Sequence, residues 1–241
     1  MTHEDELSSA LKRLGLTASR PVLVSVGGAS GLDPTIAKRL SRLFRDQLMP
    51  LLHRFGAAVL DGGTDAGVMA LMGQARWAAE PRIPLLGVSA RGTVRLPGQS
   101  GRAGATLEPN HSHQLLVPGG NWGDEIPWMN AAVKRLSAGH RSVTLVTGGG
   151  RVTARDVDAS LQNGRPTLLL AGTGGVADAL ASIRPQQGLV RVVQEEGGWS
   201  GLAAELGNLL VGGGLPTRPE PTRPKGRAGQ LRPMPPAKNS V

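Results

Sequence analysis

The sequence predicts a three-layer α/β protein, in which a mostly parallel sheet of about six to seven strands lies between two layers of helices. Six times an apolar run rich in β-branched residues ends in a glycine pair and is followed by a stretch with helical spacing. Such alternation is typical of a parallel sheet, and continuously apolar strands are typical of a sheet covered on both faces. The glycine pairs are Gly27-Gly28, Gly62-Gly63, Gly119-Gly120, Gly148-Gly149, Gly174-Gly175 and Gly197-Gly198.

Local signals place the elements of the first half of the chain. A helix is predicted over 4–14 and the first strand over 22–26. Asp33 has the features of a helix N-cap, with Pro34 at the first helical position, and Pro50 should interrupt the long helix that begins there. The remaining predictions are strands over 57–61 and 85–88, a helix over 68–79, and an irregular segment over 91–110 that would form a lid or rim.

The second half of the chain repeats the same alternation. Strands are predicted over 113–117, 143–146, 167–170 and 189–193, and a helix follows each of them. These helices are predicted over 127–138, over 151–162, from 176 onward, and finally up to about residue 210.

Composition divides the chain into three segments. We predict an N-terminal helical extension over 1–20, a ligand-binding domain over 21–212, and a disordered tail rich in Pro, Gly and basic residues over 213–241. Six basic side chains and one glutamate give this tail +5 of the formal net charge of +9. The mildly basic body suits an anionic small molecule, and it lacks the stacking aromatic side chains that nucleic-acid binding requires.

Several classes of protein are excluded by what the sequence lacks. There is no cysteine, which excludes disulfides, Cys-ligated metal and thiol nucleophiles. No apolar stretch approaches the roughly 20 residues that span a bilayer, and the acidic start does not resemble a signal peptide. A Walker A motif and a Gly-x-Ser-x-Gly elbow are also absent. We therefore expect a soluble cytoplasmic protein that does not contact a membrane.

The glycine turns are the first candidates for a binding site. A strand that turns through glycines into a helix leaves backbone N–H groups at the helix start, where phosphate binds. In a parallel sheet these turns meet at the carboxyl ends of the strands, where open α/β folds bind ligands. Thr64 adds a hydroxyl group, and Arg151 adds a guanidinium that pairs with phosphate. The candidate ligand-binding residues in these turns are Gly27, Gly28, Ala29, Gly62, Gly63, Thr64, Gly67, Gly119, Gly120, Gly149, Gly150, Arg151, Gly172, Thr173, Gly174 and Gly175.

Other candidates lie near the strand predicted over 113–117. His111 and His113 are two residues apart, so on a strand they would face the same side. No third metal ligand follows from the spacing, and we expect histidines that brace the loop, with His113 also a ligand contact; no metal site is predicted. Asp124 and Glu125 fit either helix capping or a role at a ribose. Trp122 fits either stacking on a base or closing the core.

Six motifs, taken in order, carry a resemblance to a known family: VSVGGA at 24–29, DGGTDAGVM at 61–69, NHSH at 110–113, WGDE at 122–125, GGG at 148–150 and GTGGVAD at 172–178. Together they resemble the SLOG superfamily of Rossmann-like domains. Within it they are most similar to the prokaryotic, LSDAT-like branch related to the N-terminal SLOG region of melastatin-type TRP channels. The resemblance implies a sensor domain that recognises a nucleotide-derived ligand, such as an ADP-ribose-like molecule.

The chain also resembles, more distantly, the LOG group of nucleoside-monophosphate phosphoribohydrolases. Their fingerprint is a strand followed by Pro-Gly-Gly-x-Gly-Thr-x-x-Glu. In this chain Pro118-Gly119-Gly120 is present, but the threonine is missing and the glutamate, Glu125, is displaced by one position. We therefore predict binding of an ADP-ribose- or NAD-like ligand, with a phosphoribohydrolase that acts through Glu125 or Asp124 as the alternative. No cofactor is expected to be required, and a second copy or a protein effector would respond to the ligand.

Overall fold

Seven strands form one sheet in which every neighbouring pair is parallel. The computed structural model describes residues 3–29, 31–96, 98, 103–183 and 188–211. The strands are β1 (Val22–Gly27), β2 (Ala58–Asp61), β3 (Leu85–Ala90), β4 (Val94–Arg95), β5 (Ala105–Thr106), β6 (His113–Val117), β7 (Ser142–Thr147), β8 (Thr167–Leu170) and β9 (Val190–Val193). The helices are α1 (His3–Arg13), α2 (Pro34–Leu43), α3 (Met49–Arg54), α4 (Gly67–Ala78), α5 (Ile126–Leu136), α6 (Arg151–Gln162), α7 (Gly175–Ile183) and α8 (Leu202–Val211).

The strand order contains a topological switch point. The order across the sheet is β6-β3-β2-β1-β7-β8-β9. The chain thus builds the sheet outward from β1 on one side, then returns to β1 and builds outward on the other side. Gly27 at the end of β1 is paired with Thr147 at the end of β7. A crevice opens where two such neighbouring strands send their connections in opposite directions.

Helices cover both faces of the sheet, and each face has its own hydrophobic core. One core joins the sheet to α2, α3, α4 and α8 through buried side chains such as Leu40, Met72 and Leu206. The other joins it to α1, α5, α6 and α7 through side chains such as Leu11, Met129 and Val157. The predicted three-layer α/β fold with a parallel sheet of six to seven strands is confirmed. β4 and β5 form a separate two-stranded ladder.

Local sequence signals account for several element boundaries. The carboxylate of Asp33 accepts hydrogen bonds from the amides of Thr35 and Ile36 at 2.8 and 3.1 Å, which caps α2. A π-helical segment, Phe44–Leu48, separates α2 from α3, so the predicted interruption falls just before Pro50. Because Pro50 lacks an N–H, it cannot continue the α-helical hydrogen bonding.

The described residues of the segment predicted to be irregular include regular structure. It contains β4 and β5, and the side chain of Glu108 near its end is buried. The tail predicted over 213–241 lies outside the described residues. Among the residues that are described, every helix is too short or too polar to cross a lipid bilayer.

Candidate functional site

A cleft of about 510 Å³ opens at the carboxyl ends of the strands, at the switch point between β1 and β7. Its size lies within the usual range of small-molecule sites, roughly 300–1,000 Å³. The cleft is lined by the turns after β1, β2, β7 and β8, and by the starts of α5 and α6. It is therefore in the position where an α/β sheet of this order binds ligands.

The turn after β7 presents amide groups to the cleft. Gly148 and Gly149 have φ values of +60° and +96°, a conformation that favours glycine. Gly150 is the N-cap of α6, and no side chain caps this helix. The first amides of a helix have no partner within the helix, so the N–H groups at the start of α6 are available to an anion. Arg151, exposed at the first position of α6, also lines the cleft.

The turn after β1 approaches β7 so closely that it requires glycine. A Cβ atom on Gly27 would collide with the carbonyl oxygen of Thr147 and lie 2.8 Å from a methyl group of Val68. Gly28 and Ala29 continue this turn along the cleft. Beneath it lies Ser25, whose buried hydroxyl has no hydrogen-bond partner among the described residues.

Three of the other glycine turns are occupied by carboxylates of the protein itself. Asp61 accepts from the Gly63 amide at 2.7 Å, and Asp124 accepts from the amides of Gly120 and Asn121 at 3.0 Å. Asp178 likewise accepts from the amides of Gly172 and Gly174, at 2.7 and 2.9 Å. After β1, the carboxylate of Asp33 caps the start of α2, and the Gly28 amide donates to the Thr147 carbonyl at 3.2 Å. Among the described residues, no carboxylate is bonded to the amides of the turn after β7 or of the start of α6. The open anion-binding amides are therefore concentrated at the start of α6.

Most of the predicted site residues come together in this cleft. Its lining includes Gly27, Gly28, Ala29, Gly62, Thr64, Trp122, Glu125, Gly149, Gly150, Arg151, Thr173, Gly174 and Gly175. The hydroxyl of Thr173 is already used, because it accepts from the Gly148 amide at 2.8 Å and donates to the Leu170 carbonyl at 2.6 Å.

Several predicted residues lie outside the cleft, for reasons that the structure makes plain. Gly63 packs against the backbone of Gly87, and Gly67 packs against the Gly28 carbonyl, so both serve close backbone approach. Gly119, Gly120 and Gly172 belong to turns that contain Asp124 or Asp178. Asp124 is itself a turn residue, and the amides of Asn121 and Gly120 lower the pKa of its carboxyl.

The two histidines do not share one environment. His113 begins β6, paired with Leu86, and its ring contacts the Ser112 hydroxyl at 2.8 Å, so it is not a residue of the cleft. The buried His111 ring lies between two carboxylates, 2.7 Å from Asp61 and 2.7 Å from Glu108. Burial lowers the pKa of His111, but the two carboxylates outweigh burial and raise it. This cluster braces the turn after β2, as expected for His111 but not for His113.

Two carboxyl groups line the cleft near the start of α5. Both oxygens of Glu125 face the Gly123 amide, at 2.9 and 3.1 Å, and burial raises the pKa of Glu125. Burial and the neighbouring charge of Glu125 raise the pKa of Asp156 to about 7. Two carboxyl groups with raised pKa values can accept hydrogen bonds or exchange protons with a ligand.

Asp156 and Ser25 are cleft residues that sequence reasoning missed. Asp156 lies three residues after Thr153 on α6, so a helical projection from the predicted helix start would place both on one face. Its partner Glu125 is remote in sequence and on a different helix, and no local pattern joins them. Ser25 lies within an apolar strand, where a small hydroxyl carries no signal of its own.

A parallel sheet with a glycine-lined cleft at its switch point is the architecture of a Rossmann-like ligand-binding domain. The family model described as "SLOG in TRPM, prokaryote" matches residues 20–205. The chain therefore belongs to this SLOG family, as its motifs predicted.

Similar proteins support the same relationship. Transient receptor potential cation channel subfamily M member 2 of Mus musculus is 26% identical over an alignment of 222 residues, which covers 75% of this chain and 15% of that protein. Subfamily M member-like 2 of Nematostella vectensis is 25% identical over 223 residues, with 75% and 14% covered. The chain thus spans about one seventh of the length of these relatives.

Two solved structures share the fold. The structural-genomics target TM1055 has a TM-score of 0.54 and 20% identity, with 77% of this chain and 98% of that chain covered. A molybdenum cofactor binding protein from the phototrophic bacterium Rippkaea orientalis has a TM-score of 0.52 and 18% identity, with 78% and 97% covered. At these identities the likeness concerns the fold alone.

Proposed function

We propose that the cleft binds a nucleotide-derived ligand, ADP-ribose- or NAD-like, with its phosphate groups at the turns after β1 and β7. One observation carries this proposal: no side chain caps the start of α6, where Gly150 and Arg151 both line the cleft. Amide donors and a guanidinium are the groups that bind phosphate.

The expected binding free energy is adequate for a metabolite sensor. A hydrogen bond to a charged group contributes about 1.5–3 kcal/mol net. Several such contacts would sum to micromolar affinity, about −8 kcal/mol. The proposed site needs no additional cofactor, and the change on binding would be read by a second copy or a protein effector.

Isothermal titration calorimetry with ADP-ribose, NAD and AMP tests the proposal. We expect binding by at least one of them, and Arg151→Gln should weaken it about tenfold or more, as the loss of a charge-assisted hydrogen bond requires. Arg135→Gln is the matched control, because Arg135 is exposed on α5 and does not line the cleft. Absence of heat with all three nucleotides at millimolar concentration, or equal weakening by the control, would overturn the proposal.

A second candidate function is hydrolysis of an N-glycosidic bond in a nucleotide, and the position of Glu125 in the cleft favours it. Asp124 is less suited, because its carboxylate is held by turn amides. Release of free adenine from AMP, followed by chromatography and lost in Glu125→Gln, would support hydrolysis. Intact AMP after prolonged incubation with the protein would exclude it for this substrate.

A further inference from the structure

The cleft has two chemically different parts along α6. Arg151 and the free amides lie at the first turn of this helix, whereas Asp156 is five residues further on. At 1.5 Å per residue, this places Asp156 about 7.5 Å deeper along the helix axis. Glu125, just before α5, lies near Asp156, since its charge acts on the Asp156 carboxyl. Trp122 lines the same cleft. The start of α6 therefore favours an anionic group of a ligand, whereas the carboxyl groups further along the cleft favour a group that is not anionic.

The hydrogen-bonding capacity of the two carboxyl groups is largely unused. The single amide of Gly123 serves both oxygens of Glu125. The side chain of Asp156 has no hydrogen bond or ion pair with any other residue that the structure describes. A carboxyl group keeps acceptor sites whether it is ionised or protonated, so the pair can accept further hydrogen bonds. Unused acceptors that line a ligand cleft indicate a ligand with hydrogen-bond donors at that place.

Two arginines near these carboxyl groups offset part of their negative charge. The charged groups that act on Asp156 are Glu125, Arg155 and Arg165, and those that act on Glu125 are Asp124 and Arg155. Arg155 is itself directed to the Trp122 carbonyl, at 3.3 Å. A second phosphate group would be repelled by the two carboxyl groups, whereas neutral hydroxyl groups would not.

Trp122 adds a large aromatic residue to the lining of the same cleft. It is 49% exposed. An aromatic ring next to hydrogen-bond acceptors suits a ligand that has both an apolar face and hydroxyl groups. A sugar ring or a nucleoside has this combination.

We propose that Glu125, Asp156 and Trp122 form a sugar subsite, in which the two carboxyl groups accept hydrogen bonds from the vicinal hydroxyl groups of a ribose. This inference rests on the proposed function and deepens it, because it assigns the ligand class: a phosphorylated riboside with both hydroxyl groups free. The phosphate lies at the start of α6, and the ribose lies about one and a half turns along that helix.

Calorimetry with two nucleotides that differ only in the sugar tests this subsite on the full chain. We expect AMP to bind about a hundredfold more tightly than 2′,3′-dideoxy-AMP, since two hydrogen bonds are lost and each costs about tenfold. In Asp156→Ala this preference should fall to about tenfold, because Glu125 still accepts one hydrogen bond. Asp158→Ala is the matched control, because Asp158 is an exposed aspartate of the same helix outside the cleft.

The failures of the two proposals are distinguishable. Equal binding of the two nucleotides by the wild-type protein would overturn the sugar subsite and leave the phosphate site intact. Saturation-transfer NMR with D-ribose, which carries no phosphate, examines the subsite independently of the nucleotides. A ribose signal that is lost in Asp156→Ala and kept in Asp158→Ala would support the subsite, even if no nucleotide bound. Absence of a ribose signal with the wild-type protein would overturn it, whatever the nucleotides do.

Discussion

Replacement of Asp156 by asparagine should make the protein more stable at neutral and alkaline pH. Burial and the charge of Glu125 raise the pKa of this carboxyl from 3.8 to about 7. Between these two values the folded protein retains a proton that the unfolded chain releases, so its stability falls as the pH rises through this interval. Asparagine is neutral throughout and does not incur that loss.

The magnitude follows from the size of the pKa shift. A shift of about three units corresponds to an upper limit of about 4 kcal/mol, at about 1.4 kcal/mol per unit. Asp156 is only partly buried, and Arg155 and Arg165 attract its ionised form. We therefore expect Asp156→Asn to raise the free energy of unfolding by about 1–2 kcal/mol at about pH 8, and to change it little at about pH 4.

Urea denaturation, followed by tryptophan fluorescence across this pH range, measures the difference. The buried ring of Trp199 should report on unfolding. Asp158→Asn is the control and should show no pH-dependent difference from the wild type. A destabilised Asp156→Asn variant at about pH 8, or the same difference at both ends of the pH range, would refute the reasoning. If Asp156→Asn is more stable but has a weaker preference for the ribose hydroxyl groups, Asp156 lowers the stability of the protein in return for binding, as residues of binding sites commonly do.

Three further predictions concern the bracing cluster and the phosphate site. Gly73→Ala should destabilise the protein by about 3 kcal/mol or more, because its Cβ would collide with the buried Glu108 carboxylate. Gly207→Ala is the control and should be neutral or stabilising, because its Cβ would lie 3.7 Å from the ring of Phe55. Denaturant unfolding compares the two variants. The raised pKa of His111 means that its stabilising charge is fully present below about pH 6.5 and is lost as the pH rises through the folded-state pKa. His111→Gln should therefore reduce stability more at acidic than at alkaline pH, and a constant difference in unfolding free energy would contradict the charged state. AMP at saturating concentration should raise the melting temperature of the wild type, and raise that of Arg151→Gln less, as measured by thermal denaturation. Equal shifts would argue against a phosphate contact.

Most of the architecture could be predicted from local sequence signals. The strand over 113–117 and the N-cap at Asp33 occur where the sequence placed them, and the family followed from its motifs. These features depend on residues within a few positions of one another. The alternation of strands and helices indicates a parallel sheet. In such a sheet the six glycine turns lie at one edge, because the strands all end there.

The candidate site was only partly predictable. Six turns looked alike as glycine pairs, yet Asp61, Asp124 and Asp178 bond to the amides of three of them. The difference between a filled and an open turn depends on where one carboxylate points in three dimensions. The same limit explains why His113 was placed in the site and Asp156 was not.

The sequence alone determined the class of fold, the order of its elements and the edge of the sheet at which the glycine turns lie, because hydrophobic periodicity and turn chemistry act over a few residues. Tertiary structure decided the strand order, with its switch point between β1 and β7, and therefore which turns line the cleft. It also decided that Glu125 and Asp156 meet there and that His111 is held between two carboxylates. Burial and charge interactions of this kind join residues that are remote in the chain, and they arise only when the layers pack together.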